Sequence, residues 1–323
     1  MAHRKGLQSV SCLTGAAISS LLARAFTRRG LPVDRYSLAE CAVAYWAIML
    51  NLGGVDAVPQ NAKGHLLGHV YDLGGDASDP RTRIYTTKAA QPFHTDSADI
   101  VGLLCLERAM RGGESQVVSS TAVFRAMQAH DPGLAAELAQ PLVWSRKGET
   151  PPGCEPWFEV PVFSEVDGRV ASMHDISFIE AAQKEFAAPD GPVLPLTEAQ
   201  QRALDMAERL AWELRFDMVL ERGDIQILHN HQVWHARSAY DDWPRDEEGR
   251  FGDGGAGMGG GGKSRKRHLL RMWLSVRENS GRWRLPEGFA ARYGDLDAPV
   301  RGGIRAKQVD GTAVKVKAPL TPC

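Results

Sequence analysis

A histidine and an aspartate stand two residues apart in the segment Pro92-Phe93-His94-Thr95-Asp96. On an extended segment such side chains project to the same side, because the strand repeat is two residues. An imidazole and a carboxylate that converge there can bind one face of a divalent metal ion. The pattern is common by chance, so its meaning depends on whether the chain supplies a third ligand.

Three further histidines, His229, His231 and His235, lie close together far downstream. One of them, joined to His94 and Asp96, would complete a 2-His-1-carboxylate facial triad, which holds iron(II) with open positions for substrate and oxygen. The three histidines could instead bind zinc among themselves, which predicts a zinc-dependent hydrolase. The residue types alone leave both interpretations open.

Two arginines, Arg267 and Arg271, lie beside and within the apolar stretch 268–276, which we expect to be a strand. Their spacing places both on one face, together with Trp273. A buried guanidinium is costly unless an anion compensates its charge, and its planar fork suits a carboxylate. Carboxylates of the protein or a bound dicarboxylate would satisfy the pair.

The composition is that of a globular protein, with 323 residues, 43% of them hydrophobic and 24% charged. A net charge of -1 argues against a general nucleic-acid binder, and no stretch is long and apolar enough to predict a membrane span. The five scattered cysteines indicate reduced thiols and a cytoplasmic location. The basic, acid-free residues 1–33 make organelle targeting the alternative.

The periodicity predicts a mainly β protein with flanking helices. We expect helices over residues 36–52, 120–130 and 176–187 and after Thr197, strands over 100–106, 115–119, 158–163, 225–229 and 268–276, and an extended piece at 83–86. The glycine-rich residues 246–266 indicate a flexible insertion, and the basic residues beyond about 300 a loosely held tail. Many short strands with few helices favour a closed or double-sheet antiparallel core, such as a jelly roll.

Four motifs in order resemble the TauD/TfdA family of Fe(II)- and 2-oxoglutarate-dependent dioxygenases. They are His94-Thr95-Asp96, Gly112-Gly113-Glu114-Ser115, Asn230-His231-Gln232-Val233-Trp234-His235-Ala236-Arg237 and Arg267-His268-Leu269-Leu270-Arg271. The resemblance runs from about residue 31 to 290 and implies a clavaminate synthase-like double-stranded β-helix, the jelly-roll variant. We therefore expect an N-terminal extension over 1–30, a dioxygenase domain over 31–290 that contains the insertion, and a C-terminal tail over 291–323.

The resemblance also implies a metal centre. His94, Asp96 and His235 match the iron ligands of the family, which places the distal ligand directly before an Ala-Arg pair. His231 is then expected to be structural, and Arg237 to brace the site.

A cosubstrate site follows from the same resemblance. Arg267 matches the arginine that anchors 2-oxoglutarate, and Ser115 matches the hydroxyl beside it. Arg271 matches a position that contacts an anionic substrate or shares in holding the cosubstrate.

The implied activity is oxidation of a C–H bond of an unidentified small organic substrate, with Fe(II), 2-oxoglutarate and O2 as cofactors and with release of succinate and CO2. Candidates for the substrate pocket are Gln60, Asn61 and Gln91, with His65 beside them. The expected partner is a small molecule, with no nucleic acid and no membrane, and a homo-oligomer is compatible with the sequence. A catalytically inactive β-fold relative is the remaining alternative, beside the zinc hydrolase.

Overall fold

The computed structural model describes residues 26–304 except 62, 78–81, 152 and 245–265. The predicted insertion therefore lies outside the described residues, apart from Lys266, as do most of the N-terminal extension and the end of the tail.

The strands are β1 (Phe26–Arg28), β2 (Val55–Ala57), β3 (Leu67–Val70), β4 (Gln91–His94), β5 (Ile100–Glu107), β6 (Arg111–Gly112), β7 (Ser115–Ser119), β8 (Pro141–Ser145), β9 (Trp157–Pro161), β10 (Phe163–Val166), β11 (Arg169–Ser172), β12 (Phe216–Met218), β13 (Ile225–His229), β14 (Val233–Arg237), β15 (Tyr240–Asp241) and β16 (His268–Val276).

Four of the six described helices match the predicted ones, and two short helices are additional. The six are α1 (Leu38–Leu50), α2 (Ser120–His130), α3 (Pro132–Glu137), α4 (Ile176–Phe186), α5 (Glu198–Leu214) and α6 (Ala290–Tyr293), of which α3 and α6 are the additional ones, with short 3-10 turns at Ile84–Thr86, Glu278–Ser280 and Glu287–Phe289. The expected extended piece at 83–86 is wrong. The N–H and the hydroxyl of Thr86 both donate to the carbonyl of Arg83, at 2.9 and 2.7 Å, and these bonds close a turn there.

Two antiparallel sheets form the core. The larger has the order β1-β13-β5-β16-β2, with β3 also paired to β16, and the smaller has the order β12-β7-β14-β4. Side chains of both sheets meet in one buried cluster, which includes Val101 and Trp273 from the larger sheet and Val117 and Val233 from the smaller. Strands distant in sequence thus lie side by side, and the predicted jelly roll is confirmed.

Strand alternation decides which residues face the space between the sheets. On β16, Leu270 and Met272 pack on the outer side beneath α1, so Arg271 and Trp273 point inward. On β14 the outward residues are Trp234 and Ala236, which pack against the layer of α2 and α5. His235 and Arg237 therefore point inward, toward Arg271.

Helix α1 closes the outer face of the larger sheet. It begins with a capping box, in which Ser37 accepts from the Glu40 N–H while the Glu40 carboxylate accepts from the Ser37 N–H. Tyr45 and Met49 then lie against β5 at Gly102, where an added Cβ would come within 2.3 Å of the Met49 methyl carbon. Glycine at this position permits the close approach of helix and sheet.

Both ends of the described chain join the core. Strand β1, within the predicted extension, pairs with β13. At the other end, in the predicted tail, Arg301 is buried against Asp99 and Ile304 packs in the cluster between the sheets. No described helix has the length and apolar character needed to span a membrane.

Candidate metal centre and cosubstrate pocket

His94, Asp96 and His235 converge between the two sheets. His94 ends β4 and lies directly opposite His235 on β14, with the two ring centroids 4.1 Å apart. One ligand atom from each of the three residues lies within 4.8 Å of the others. His235 Nε2 is 3.6 Å from the Asp96 carboxylate. The sequence-predicted triad is therefore assembled by a cross-strand pair and the loop that follows β4.

Ring nitrogens of His94 and His235 point toward this position. His94 Nδ1 lies 3.0 Å from the Pro92 carbonyl, so we assign its ring proton there and leave Nε2 as the electron-pair donor. Burial lowers the pKa of His235 to about 3. Neutral imidazole is the form that binds metal ions.

The Asp96 carboxylate is fixed by two residues of β16. The Trp273 indole N–H donates to its Oδ2 at 2.8 Å, and Arg271 Nη1 lies 3.4 Å from its Oδ1. Burial raises the pKa of Asp96, but the positive charge of Arg271, together with the other groups around the carboxylate, which include the Trp273 N–H, outweighs burial, and the pKa lies below its usual range. The carboxylate is ionised and aimed, as a metal ligand must be.

Two of the proposed substrate-pocket residues have partners within the protein, and one of them, Gln60, also lines the cavity in front of the metal site. The Gln60 amide accepts from Arg271 Nε at 2.8 Å and donates to the Arg271 carbonyl at 2.7 Å, so it holds that arginine in place. Asn61 Oδ1 accepts from the N–H groups of Lys63 and His65, which forms a local turn. These contacts make Gln60 a positioning residue and Asn61 a loop residue.

Gln91, the third candidate, does line the space in front of the metal site. Its Nε2 lies 3.0 Å from His94 Nε2, so the amide contacts the histidine nitrogen that we assign to the metal. A metal ion bound at that nitrogen would displace the amide contact.

His229 and His231 do not join this cluster. The metal-capable group found among the described residues contains His235 but neither of them. His231 Nε2 contacts Asp99 at 2.8 Å, and Asp99 accepts from Arg301 Nε at 3.0 Å. The ring of His229 is tilted against that of Trp283, with the centroids 4.4 Å apart. Both histidines thus have partners away from His235, and the geometry of the described residues gives no support to a three-histidine zinc site.

A second cavity opens beside His235, with Arg267 at its wall. This cavity is lined by Ser115, His94 and Arg271 and by apolar side chains that include Leu103 and Leu269. Arg267 Nη2 lies 3.4 Å from the Gly113 carbonyl, while its Nη1 is buried and has no hydrogen-bond partner among the described residues. Burial lowers the pKa of Arg267.

Arg237 brings a second guanidinium to the same cavity. Its Nη2 donates to the carbonyls of Thr87, at 3.0 Å, and Ala89, whereas Nε and Nη1 are buried and find no partner in the part of the chain that the structure describes. Arg237 and Arg267 both lie against the ring of Tyr240, at 4.9 and 5.1 Å. Burial, together with the charge of Arg267, lowers the pKa of Arg237 to about 10.

The donors of this cavity suit a carboxylate ligand. Within the described ranges, neither Arg237 nor Arg267 forms an ion pair with a protein carboxylate, yet buried guanidiniums need an anion. Ser115 donates to Gln226 at 3.0 Å and lies on the same wall. A dicarboxylate could reach from the arginines to a metal held by His94, Asp96 and His235. Of these donors, Arg237 was expected only to brace the site.

Comparisons with known proteins agree with this geometry. A family profile described as "Taurine catabolism dioxygenase TauD, TfdA family" matches residues 28–273. FR-33289 synthase of Streptomyces rubellomurinus is 30% identical over 251 residues, 77% of this chain and 68% of that protein. A taurine hydroxylase-like protein of Stachybotrys chartarum is 27% identical over 269 residues, 81% and 63% of the two chains.

A uridine-5'-phosphate dioxygenase of a Streptomyces species is 28% identical over 176 residues, which are 50% of this chain and 60% of that protein. The chain thus spans between 60% and 68% of these three curated relatives.

Solved structures show the same fold. An asparagine oxygenase in complex with Fe(II), 2S,3S-3-hydroxyasparagine and succinate superposes with a TM-score of 0.56 at 19% identity, over 80% of this chain and 77% of that one. The non-haem iron oxygenase OrfP, in complex with Fe, succinate and (3S)-hydroxy-L-Arg, gives 0.52 at 13% identity, over 84% and 83%.

Proposed function

Because the chain belongs to the TauD/TfdA family of Fe(II)- and 2-oxoglutarate-dependent dioxygenases, we propose that it oxidises a C–H bond of a small organic substrate at the site formed by His94, Asp96 and His235. The cofactors of the family are Fe(II), 2-oxoglutarate and O2. When bound, they supply an oxidant that removes a hydrogen atom from the substrate, while 2-oxoglutarate is converted to succinate and CO2.

The observation that carries the proposal is the adjacency of two complementary sites. Three metal-capable side chains lie within 4.8 Å of one another, and His94 and His235 also line the cavity that contains Arg237 and Arg267. Two nitrogen and one oxygen ligands on one face leave open positions, as the facial triad requires. The buried arginines can bind the carboxylate at the far end of the cosubstrate.

Each residue then has a task that its contacts support. His94, Asp96 and His235 bind iron, with Trp273 and Arg271 fixing the carboxylate of Asp96. Such supporting hydrogen bonds orient metal ligands and raise metal affinity.

Arg267 and Arg237 bind the far carboxylate of 2-oxoglutarate, and the Ser115 hydroxyl lies beside it. The apolar walls at Leu103 and Leu269 exclude water, which strengthens the ionic contacts.

The prime substrate is a separate question. The names of two relatives contain taurine and uridine 5'-phosphate, which are different molecules, and those names belong to those proteins. The proposal for this chain is limited to a small organic molecule that enters the cavity in front of His94 and Asp96.

Cosubstrate turnover tests the proposed function. Purified protein should convert 2-oxoglutarate to succinate only when Fe(II) and O2 are both supplied, and His235→Ala should abolish this conversion. His130→Ala, an exposed histidine at the end of α2, serves as the matched control and should leave it unchanged. Zinc-dependent hydrolysis without any use of 2-oxoglutarate would instead support the hydrolase.

A further inference from the structure

The cavity in front of the metal site is unusually rich in positive charge. Its lining includes His94 and Asp96 and four basic residues, which are Arg83, Lys147, Arg271 and Arg292. Two of these charges are already matched, because Arg83 pairs with Glu149 and Arg271 pairs with Asp96. In the described part of the chain, Lys147 and Arg292 form no ion pair with a carboxylate, so their charges are available to a ligand.

Lys147 and Arg292 lie around one aromatic side chain. Lys147 Nζ is 4.6 Å and the Arg292 guanidinium carbon 5.6 Å from the centroid of the Phe178 ring. Both side chains donate hydrogen bonds to neutral hydroxyls: Lys147 Nζ to Ser177 at 2.9 Å, and Arg292 Nε to Ser97 at 2.6 Å. Burial lowers the pKa of Lys147 and also that of Arg292, so both charges are partly desolvated.

The backbone at Lys147 is also constrained. Its φ is 45°, in the left-handed region that residues with a Cβ rarely occupy. Its N–H donates to the Ser145 hydroxyl at 3.0 Å, which holds the turn. Backbone of this kind is concentrated at functional sites, where the surrounding structure holds it, and the Lys147 side chain lies on the cavity wall.

The acidic groups of the cavity do not neutralise this charge. Asp175 caps helix α4, accepting from the Ser177 N–H at 3.1 Å and from its hydroxyl at 2.6 Å. Asp96 is a ligand of the proposed iron centre. With Arg83 matched by Glu149 and Arg271 by Asp96, the two charges of Lys147 and Arg292 face the single remaining carboxylate of the lining, Asp175, so the cavity lining keeps a positive excess.

We propose that Lys147 and Arg292 bind an oxyanion group of the prime substrate, which is a carboxylate, sulfonate or phosphoryl group. Arg292 is anchored to Ser97, next to Asp96 in the chain, so an anion there holds the rest of the molecule on the metal side of the cavity. Trp144, Met173 and Phe178 provide the apolar wall for the carbon skeleton. This inference rests on the proposed function, because it places a substrate beside the iron.

The test uses calorimetric titration of the anaerobic protein loaded with Fe(II) and 2-oxoglutarate, in buffer of low chloride. The probes are methylphosphonate, methanesulfonate and acetate, with methylammonium as the cationic comparison. At least one of the three anions should bind saturably, and methylammonium should not. The anion that binds most tightly identifies the group that the substrate carries.

Variants assign the binding to the two residues. Lys147→Gly suits the left-handed backbone, and Arg292→Met keeps the volume of the side-chain stem. Each should weaken binding of the preferred anion by about tenfold or more, as expected for loss of a charge-assisted contact. The control is Arg209→Met on the exposed face of α5, which should bind the anion as the parent does.

Failure of this inference is distinguishable from failure of the proposed function. The visible absorption band of the iron–2-oxoglutarate chelate is recorded in every sample, so an intact band shows that the metal and cosubstrate sites are formed. With the band present, absence of binding by all three anions, or equal binding by the parent and both variants, overturns the inference. Absence of the band in the parent protein overturns the proposed function itself.

Discussion

The side-chain amide of Asn230 binds both backbone groups of Asp96. Its Oδ1 accepts from the Asp96 N–H at 2.8 Å, and its Nδ2 donates to the Asp96 carbonyl at 2.6 Å. Nδ2 also donates to the Ala98 carbonyl at 2.8 Å. Asn230 lies in the turn between β13 and β14 and is fully buried. The turn that precedes His235 therefore fixes the loop that carries the carboxylate ligand, although the two segments are far apart in sequence.

Removing the hydrogen bonds between the Asn230 side chain and the Asp96 backbone should weaken iron binding without removing a metal ligand. We expect Asn230→Ala to raise the Kd for Fe(II) by roughly 10- to 100-fold, the usual effect of losing a residue that orients metal ligands. Anaerobic Fe(II) titration measures the change. Asn279→Ala, at an exposed asparagine, is the control and should bind Fe(II) as the parent does. Unchanged affinity in Asn230→Ala would show that the loop holds Asp96 by other contacts.

Arg267→Leu should raise the 2-oxoglutarate requirement steeply. Loss of a buried charge-assisted contact typically costs about 2–5 kcal/mol, or roughly 30- to several-thousand-fold in affinity. Titration of the iron chelate with 2-oxoglutarate measures this, and Fe(II) affinity should remain. Arg237→Leu should produce a smaller loss, because two backbone carbonyls already occupy its Nη2.

Arg277→Leu is the matched control for Arg267, since it is an exposed arginine just beyond the opposite end of β16, paired with Asp56. It should titrate like the parent. If Arg267→Leu also titrates like the parent while Arg271→Leu does not, Arg271 is the cosubstrate anchor.

Gly113→Ala should impair cosubstrate binding more than Gly148→Ala. Both glycines have positive φ, 74° and 77°, so an alanine costs similar backbone strain at each. Only at Gly113 would the added Cβ lie 2.8 Å from Arg267 Nε, whereas nothing lies within 4 Å at Gly148. The 2-oxoglutarate affinity of the chelate should fall in Gly113→Ala alone. Equal effects in the two variants would contradict the position assigned to Arg267.

Acid should destabilise the fold through Asp99. Burial raises the pKa of Asp99, but hydrogen bonds from His231 and Arg301 outweigh it and bring the pKa to about 2, below the ordinary value of 3.8. The ionised carboxylate therefore contributes stability that is complete above about pH 4 and is lost as the pH falls toward 2, on the order of 2 kcal/mol. Urea unfolding at pH 5 and pH 3 should show this loss, and the pH difference should shrink in Asp99→Asn.

Much of the site follows from local sequence rules. The two-residue spacing predicts that His94 and Asp96 converge, and they do, although Asp96 lies in the loop that follows β4. On β16 the strand repeat brings Arg271 and Trp273 to the inner face. Helix caps such as Ser37 and Thr197 can also be predicted from the sequence, because each cap and the backbone N–H that it accepts from lie within three positions of one another.

The remaining parts depend on packing between distant segments. Arg237 shares the inward face of β14 with His235, but its unpartnered nitrogens become visible only once the neighbouring strands are in place. Asn230 and Arg292 contact residues more than 100 positions away, Asp96 and Ser97, so no local spacing indicates their roles. The strand repeat on β14 predicts that Arg237 points inward beside His235, whereas nothing in the local sequence predicts a site role for Arg292.

The most direct test of the iron centre is an anaerobic titration of the protein with Fe(II) and then 2-oxoglutarate, followed by visible absorption. The parent should develop the charge-transfer band of the chelate at one Fe(II) per chain. The band should be lost in His94→Ala and in His235→Ala and retained in His231→Asn. A band that survives loss of His235 but disappears with His229 or His231 would contradict the assignment of His94, Asp96 and His235 as the metal ligands.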